Sequence, residues 1–278
     1  MNEQMETPVM PANGYTNKPK KQPWWLLIVA VVVIAAVVAV ALILAKPKAP
    51  EPETSETSAT VSVSEMRVED VTPTQKKVAC PIDFAALQAR NSDLYAWITM
   101  PNTVIDYPIA QSAPDEEEDF YLHRGEDKEY LFEGTIYTQK LNKKDFSDPN
   151  TIIYGHCMKN GTMFRALHDL KVQSMWDSTK EFYIYTATGH KLTYRIFSAY
   201  TRDSKHILRQ NNYFKTKQDY ADYLDEVQHP AYGMTRNCNV TTKDRIVTLE
   251  TCVTANGNTR FVVSGVLVKD EPTYYKAN

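Results

Sequence analysis

Positive charge is not in excess in this chain. Its 278 residues include 31 lysines and arginines against 34 aspartates and glutamates, for a formal net charge of −3. A protein that binds nucleic acid neutralises phosphates with a basic surface, and this composition supplies no such excess. The charge balance therefore argues against a nucleic-acid partner.

Cysteine is scarce, and its spacing matches none of the common metal sites. Cys80, Cys157, Cys238 and Cys252 form no CxxC pair and no Cys/His cluster with zinc spacing. The acidic run at residues 115–119 lacks the spaced oxygen ligands of a calcium loop, so we expect neither a metal nor a cofactor. Four cysteines permit two disulfides, but a domain of about 200 residues buries enough core without them. We expect at least one free thiol, and whether Cys80 pairs with Cys238 stays open.

Charged residues are missing altogether from residues 24–45, WWLLIVAVVVIAAVVAVALILA. A helix of that length spans roughly 30 Å, the thickness of a bilayer core, whereas the apolar core of a cleavable signal peptide covers only about 7–15 residues. We therefore predict an uncleaved transmembrane signal anchor. Lys18, Lys20 and Lys21 precede it, and basic flanks stay inside the cell. This predicts a cytoplasmic tail at 1–23 and a single-pass cell-membrane protein whose remainder is extracellular.

Residues 46–79 are rich in Pro, Glu, Ser, Thr and Val, and we predict an extended linker because they bury too little to fold. Residues 80–278 then form one domain. Phe84, Leu87 and Leu94 recur at helical spacing before Pro101. Beyond that point, apolar runs separated by turns predict six to eight strands, with TATGHK as a hairpin turn and one helix at 215–230. Few helices among many strands favour a closed or nearly closed β-barrel over a parallel α/β fold.

Three residues at strand ends are candidates for catalysis. Cys252 ends the run IVTLETC; a nucleophilic thiol needs a partner that favours the thiolate, and an inert buried thiol is the alternative. His156 follows the strand NTIIYG, where an imidazole can transfer protons in a cleft or be only structural. Arg260 opens the next run, where its donors can stabilise an oxyanion or simply face solvent. The remaining histidines lie in polar or helical contexts: His123, His168, His190, His206 and His229.

These motifs resemble those of sortases, the membrane-anchored cysteine transpeptidases of Gram-positive cell surfaces. NTIIYGHCM, TLETC and the following arginine match the histidine, the TLxTC strand and the arginine of that family. The stretches DFAALQARNSDLYAWI, NTVIDYPIAQ, FYLHR and DFSDPNTIIYGHCMKNGTMFRAL are similar to class B sortases in particular. The resemblance covers residues 82–269.

The resemblance implies a mostly β fold: an eight-stranded barrel with an N-terminal helical extension and a helix before the catalytic strand. It also implies that Cys252 attacks the carbonyl of a threonine in the C-terminal sorting signal of a surface protein or pilin. An amine, from a cell-wall precursor cross-bridge or a pilin lysine, would resolve the thioacyl-enzyme. His156 would serve as general acid and base, and Arg260 as oxyanion support. Four further residues would bind substrate: Leu122, Tyr154, Glu250 and Thr251.

Two positions depart from the family pattern. Glu250 stands where class B enzymes often have serine, and a carboxylate beside the nucleophile can alter client choice or the proton affinity of the thiol. Cys157 directly follows His156. Because neighbours on an extended backbone point to opposite sides, we do not expect Cys157 to be the nucleophile.

Two alternatives stay open. A surface cysteine peptidase would use the same three residues and let water resolve the acyl-enzyme, so product analysis with and without an added amine separates it from a transpeptidase. A membrane-tethered adhesin or assembly module without catalysis would have inert cysteines. In that case a thiol-directed alkylator would leave Cys252 unmodified in the folded domain.

Overall fold

The computed structural model describes residues 76–252 and 257–277. The predicted cytoplasmic tail, the signal anchor at 24–45 and nearly all of the predicted linker lie outside these residues, so they stay predictions. Within the described residues, no helix is long and apolar enough to cross a membrane.

The described residues form ten β-strands, four α-helices and three 3-10 helices. The strands are β1 (Val78–Cys80), β2 (Leu94–Thr99), β3 (Asp106–Ala110), β4 (Ile136–Tyr137), β5 (Asn150–Tyr154), β6 (Glu181–Thr186), β7 (His190–Asp203), β8 (Gly233–Thr235), β9 (Ile246–Cys252) and β10 (Thr259–Tyr275). The α-helices are α1 (Phe84–Arg90), α2 (Gln173–Ser178), α3 (Ile207–Gln210) and α4 (Lys217–Gln228). The 3-10 helices span Phe120–His123, Phe164–Lys171 and Asn212–Phe214.

Eight of these strands close into a barrel. Neighbouring strands are hydrogen-bonded in the order β10-β9-β5-β4-β3-β2-β6-β7, and the pairing of β7 with β10 closes the ring. Strand β1 pairs in parallel with the end of β10, and β8 pairs with β7, both outside the closed ring. The predicted mostly β fold with an eight-stranded barrel is therefore confirmed.

Alternation along the strands divides the core between two faces. Side chains from all eight barrel strands, among them Leu249 and Phe261, pack together inside the barrel. Ile246 on β9 and Val262 on β10 point the other way and belong to a second cluster that includes the apolar side of α4. Strand β9 is therefore buried on both faces, even though three of its seven residues, Thr248, Glu250 and Thr251, are polar.

The helix before the catalytic strand is present, as predicted. The side chain of Thr216 accepts from the Asp219 N–H at 3.1 Å, and Asp219 accepts from the Thr216 N–H at 2.9 Å, which forms a capping box at the start of α4. The N-terminal helix α1 is shorter than its spacing predicted. It ends at Arg90, and the prediction that Leu94 continues it is wrong, because Leu94 begins β2. The pairing of β2 with both β3 and β6 outweighs the helical spacing there.

Candidate active site

Cross-strand pairing aligns three side chains of the site. Cys252 is the last residue of β9, and Arg260 of β10 lies directly opposite it. Arg202 of β7 lies opposite Arg260 on the other side. Because directly opposite residues share one face of the sheet, the register alone produces a row of thiol, guanidinium and guanidinium.

A second row lies two residues back along β9. Glu250 pairs with Tyr154 of β5, and Tyr154 pairs with Tyr137 of β4. Because alternate residues share a face, Glu250 points to the same side as Cys252. The two tyrosine rings stack with their centroids 5.4 Å apart. Burial raises the pKa of both hydroxyls, so both tyrosines stay neutral.

A glycine at the end of β5 determines where His156 lies. Gly155 is the first residue after the strand. A Cβ on Gly155 would lie 2.5 Å from Ile136 Cδ1 and 2.7 Å from Phe164 Cδ2, so no side chain fits there. The backbone can therefore pass close to the core at this point and place His156 just beyond the strand end.

The three candidate residues meet in one cavity. Its volume is about 290 Å³, and Cys252, His156 and Arg260 all line it. The four predicted substrate-binding residues border the same cavity: Leu122, Tyr154, Glu250 and Thr251. Besides Gly155, which adjoins His156, five further lining residues were not predicted: Asp119, Tyr137, Gln139, Ser204 and His206. The sequence could not point to them because they come from segments that only the closed barrel brings together.

A backbone oxygen holds His156 in place. Its Nε2 lies 2.8 Å from the carbonyl oxygen of Leu122, and because that oxygen only accepts, Nε2 carries the proton and Nδ1 keeps a lone pair. The ring packs against those of His123 and Phe132, with centroid distances of 5.2 and 5.9 Å. Burial lowers the pKa of His156, so the imidazole is neutral at pH 7 and can accept a proton.

Arg260 is held from two directions. Its Nη1 donates to the carbonyl oxygens of Gly257 and Thr259 at 2.9 and 3.1 Å, and its Nε lies 3.5 Å from Glu250 Oε1. Burial raises the pKa of the Glu250 carboxyl to about 7, against the opposing effect of Arg202 and Arg260. A buried carboxyl thus helps to fix the cation beside the thiol.

The family model of the sortase domain matches residues 98–268. The chain belongs to the sortase family. Two curated relatives are sortase B proteins. Sortase B of Listeria monocytogenes is 37% identical to this chain, over 66% of this chain and 72% of the relative. Sortase B of Staphylococcus aureus is 33% identical, over 67% of this chain and 75% of the relative. Among solved structures, sortase B of Clostridium perfringens matches with a TM-score of 0.60 at 32% identity, over 67% of this chain and 100% of the other. These comparisons place the chain in class B.

Three histidines that sequence reasoning set aside take part in this sortase site. His168 donates from Nε2 to the carbonyl oxygen of Cys252 at 3.2 Å. His123 packs against the catalytic candidate His156, and His206 lines the cavity. Each of these contacts joins residues that are far apart along the chain, so no local pattern could have marked them.

Two residues take less direct positions in the sortase site. Thr251 borders the cavity, but because side chains alternate along the strand, its own side chain points into the barrel interior. Its Oγ1 is buried there without a hydrogen-bond partner among the described residues. Cys157 lies in an isolated bridge with Met163, and burial raises the pKa of its thiol. A raised pKa disfavours the thiolate, which agrees with the expectation that Cys157 is not the nucleophile.

Neither a disulfide nor a metal-binding cluster is found among the described residues. All four cysteines are free, so Cys80 and Cys238 do not pair in this structure. In residues 76–252 and 257–277, no group of three or more His, Cys, Asp and Glu side chains is arranged to hold a metal ion.

Proposed function

We propose that this sortase is a cysteine transpeptidase that cleaves a C-terminal sorting signal after threonine and joins the released client to an amine. The observation that carries the proposal is the shared cavity, which Cys252, His156 and Arg260 line, with Arg260 directly opposite Cys252. A thiol, a neutral imidazole and a fixed cation are the groups that thiol-based acyl transfer needs.

The first step forms a thioester. The Sγ of Cys252 bonds to the carbonyl carbon of the threonine, and the thiol proton passes to His156. Arg260 donates hydrogen bonds to the oxyanion of the tetrahedral intermediate. When the intermediate collapses, the C–N bond breaks, and His156 gives its proton to the leaving amine. The client then remains bound to Cys252, and the C-terminal remainder of the signal departs.

The second step transfers the client. An acceptor amine attacks the thioester carbon, and neutral His156 takes the amine proton. The C–S bond breaks, Cys252 recovers its thiol as the proton returns, and a new amide joins client to acceptor. Water competes for the same thioester, so the outcome depends on which nucleophile reaches the cavity.

The relatives support this choice of substrates. Sortase B of Staphylococcus aureus has been solved as a substrate complex, with a TM-score of 0.59 and 32% identity, over 67% of this chain and 84% of the other, and another sortase B structure is a complex with triglycine. By analogy, the clients of this chain are surface proteins or pilins, and the acceptor is a cell-wall precursor amine or a pilin lysine. The signal anchor predicted at residues 24–45 would hold the catalytic domain outside the cell membrane.

Mass spectrometry of the intact full chain in detergent tests the proposal. We expect a peptide library in which each member holds one threonine to yield an adduct on Cys252 with the mass of the N-terminal peptide fragment. Added triglycine should convert that adduct to a peptide–triglycine product. The Cys252→Ala variant should form no adduct, whereas Cys157→Ala, which removes the other thiol near the histidine, should behave as wild type.

The outcomes separate the alternatives. An adduct that only water resolves supports the peptidase. Failure of every peptide to form an adduct on Cys252 would contradict the catalytic role proposed for this cavity.

A further inference from the structure

Glu250 presents a buried carboxyl to the catalytic cavity. Its side chain is 7% exposed, and Oε1 lies 3.5 Å from the Nε of Arg260. Its other oxygen, Oε2, and the hydroxyl of the neighbouring Tyr154 are buried without hydrogen-bond partners among the described residues. Burying an incompletely paired carboxylate is costly, so its presence beside the nucleophile calls for a role in function.

Within the transpeptidation proposed above, on which this inference rests, we propose that Glu250 is a positioning residue. Its carboxylate holds the guanidinium of Arg260 beside Cys252, so efficient cleavage requires Glu250 to be ionised. Glu250 acts through Arg260, and Arg260 alone of the two contacts the reacting carbonyl.

The charge on the neighbouring strand explains why Arg260 needs a carboxylate. Arg202 lies opposite Arg260, its side chain is only 4% exposed, and its guanidinium donates to the Lys205 carbonyl at 2.7 Å and to Gln210 Oε1 at 3.0 Å. Arg202 is therefore held more tightly than Arg260, whose side chain is 25% exposed. Arg202 also lies 3.6 Å from the carboxylates of Asp203 and Glu226, whereas among the described residues Arg260 pairs with the carboxylate of Glu250 alone. Without the negative charge of Glu250, it is therefore Arg260 that loses its ion pair and can move away from the cavity.

The titratable groups around this carboxyl come from several elements. Those facing Glu250 or its arginine partners are Tyr137 on β4, Tyr154 on β5, Tyr200, Arg202 and Asp203 on β7, Cys252 on β9 and Arg260 on β10. From outside the barrel strands come Asp119 and His206 at the cavity wall and, on α4, Tyr223 and Glu226.

Most of these groups do not change charge near neutral pH. Burial raises the pKa of the tyrosines and lowers that of His206, so these side chains stay neutral, while the arginines stay charged. Burial raises the pKa of the Glu250 carboxyl to about 7. The pKa of His156 is lowered from 6.5, so the histidine titrates at a lower pH than Glu250 does. A rise in activity near pH 7 is assigned to Glu250 by its variants, because the thiol and the imidazole are present in all of them and only the carboxylate changes.

Steady-state cleavage by the full chain in detergent, from about pH 5 to about pH 9, tests the positioning role. The substrate is the peptide that gives the most adduct in the library. We expect the kcat of the wild type to rise through pH 7. Glu250→Gln keeps the size of the side chain but not its charge, and should lower kcat about tenfold at about pH 8 while KM changes less than about twofold. Its profile should lack the rise near pH 7, and Glu250→Asp, which restores a carboxylate, should regain it.

Glu181→Gln is the matched control. It removes a carboxylate that pairs with Arg195 at 3.4 Å, on strands β6 and β7, without touching the cavity. We expect it to keep the wild-type kcat and pH profile. Circular dichroism checks that each variant is folded.

The possible outcomes distinguish failure of the positioning role from failure of the proposed function. A Glu250→Gln variant with the kcat and pH profile of the wild type overturns the positioning role while leaving the transpeptidation intact, and so does a loss confined to KM. If the glutamine variant does not fold, Glu250→Asp decides: a retained rise near pH 7 supports the role, and its loss overturns it. A wild-type chain that forms no thioester with any peptide contradicts the proposed function itself, and the inference fails with it.

Discussion

Replacing Glu250 with glutamine is expected to stabilise the fold at alkaline pH and to leave its stability nearly unchanged at acid pH. Folding raises the pKa of this carboxyl from 4.5 to about 7, because burial disfavours the charged form more than the neighbouring arginines favour it. At 1.36 kcal/mol per pKa unit, this difference of about 2.5 units corresponds to roughly 3 kcal/mol.

The sign of the effect follows from where the proton binds more tightly. The folded state keeps the proton on Glu250 to a higher pH than the unfolded state does. The stability that this proton contributes is therefore fully present below about pH 4.5 and is lost as the pH rises through about 7. Above that range both states are ionised, and the loss is constant. Glutamine does not titrate, so its advantage over glutamate should grow from about 1 kcal/mol or less at about pH 5 to roughly 3 kcal/mol at about pH 8.5.

Tryptophan fluorescence recorded while the full chain is heated in detergent measures this difference. For a domain of about 200 residues, 1 kcal/mol shifts Tm by roughly 2–4 °C, so the variant should melt roughly 6–12 °C above the wild type at about pH 8.5. The control Glu181→Gln removes a more exposed carboxylate, and its difference in Tm from the wild type should not depend on pH. If the Tm of Glu250→Gln differs from that of the wild type by the same amount at about pH 5 and about pH 8.5, or at neither pH, burial does not oppose the ionisation of Glu250.

Three further substitutions test the packing around the site. Gly155→Ala puts a methyl group 2.5 Å from the nearest core carbon and should lower the free energy of unfolding by about 1–3 kcal/mol. Gly125→Ala is the control: the nearest atom to its methyl group would be 3.5 Å away, so its Tm should stay nearly unchanged. His168→Phe removes the hydrogen bond to the Cys252 carbonyl and should lower kcat a few-fold with KM unchanged, and His168→Gln, which keeps a donor, should lose less. Tyr154→Phe deletes a buried hydroxyl that has no hydrogen-bond partner among the described residues. The free energy of unfolding, measured with urea, should therefore stay the same or rise by up to about 1 kcal/mol. A fall of about 2 kcal/mol would show that the hydroxyl is hydrogen-bonded.

The long strands and α4 could be predicted because their signals are local. Apolar runs separated by turn residues mark β5, β6, β7 and β9, and Thr216 with Asp219 marks the start of α4. Strands β1 and β8 could not be predicted, since three residues such as Val78–Cys80 form a strand only by pairing with a longer one, here the distant end of β10. Strand β10 itself continues to Tyr275, well past the last apolar residue of the predicted run, because its backbone pairs with β7 and β1 whatever its side chains are.

The candidate catalytic residues could be proposed from the sequence because each stands at a strand end. The groups that support them could not. Arg202 reads as one charged residue at the end of a long strand, and only the closing pair of β7 with β10 places it beside Arg260. His168 is 84 residues from Cys252 along the chain, and a 3-10 helix with no apparent link to the catalytic strand carries it to that carbonyl. Such support arises from register and closure, which residue types alone do not encode.

The two measurements on Glu250→Gln together decide between a structural and a functional reason for this carboxyl. A residue that only supports the fold should destabilise it when replaced, and any loss of activity should then follow the loss of stability. Burial beside two arginines predicts the opposite combination, a variant that is more stable at about pH 8.5 and yet slower in cleavage at about pH 8. This combination arises when a site retains an unfavourable charge because the charge orients a group that acts on the substrate. A variant that is more stable and equally fast would show instead that the Glu250 carboxylate opposes folding without contributing to the reaction.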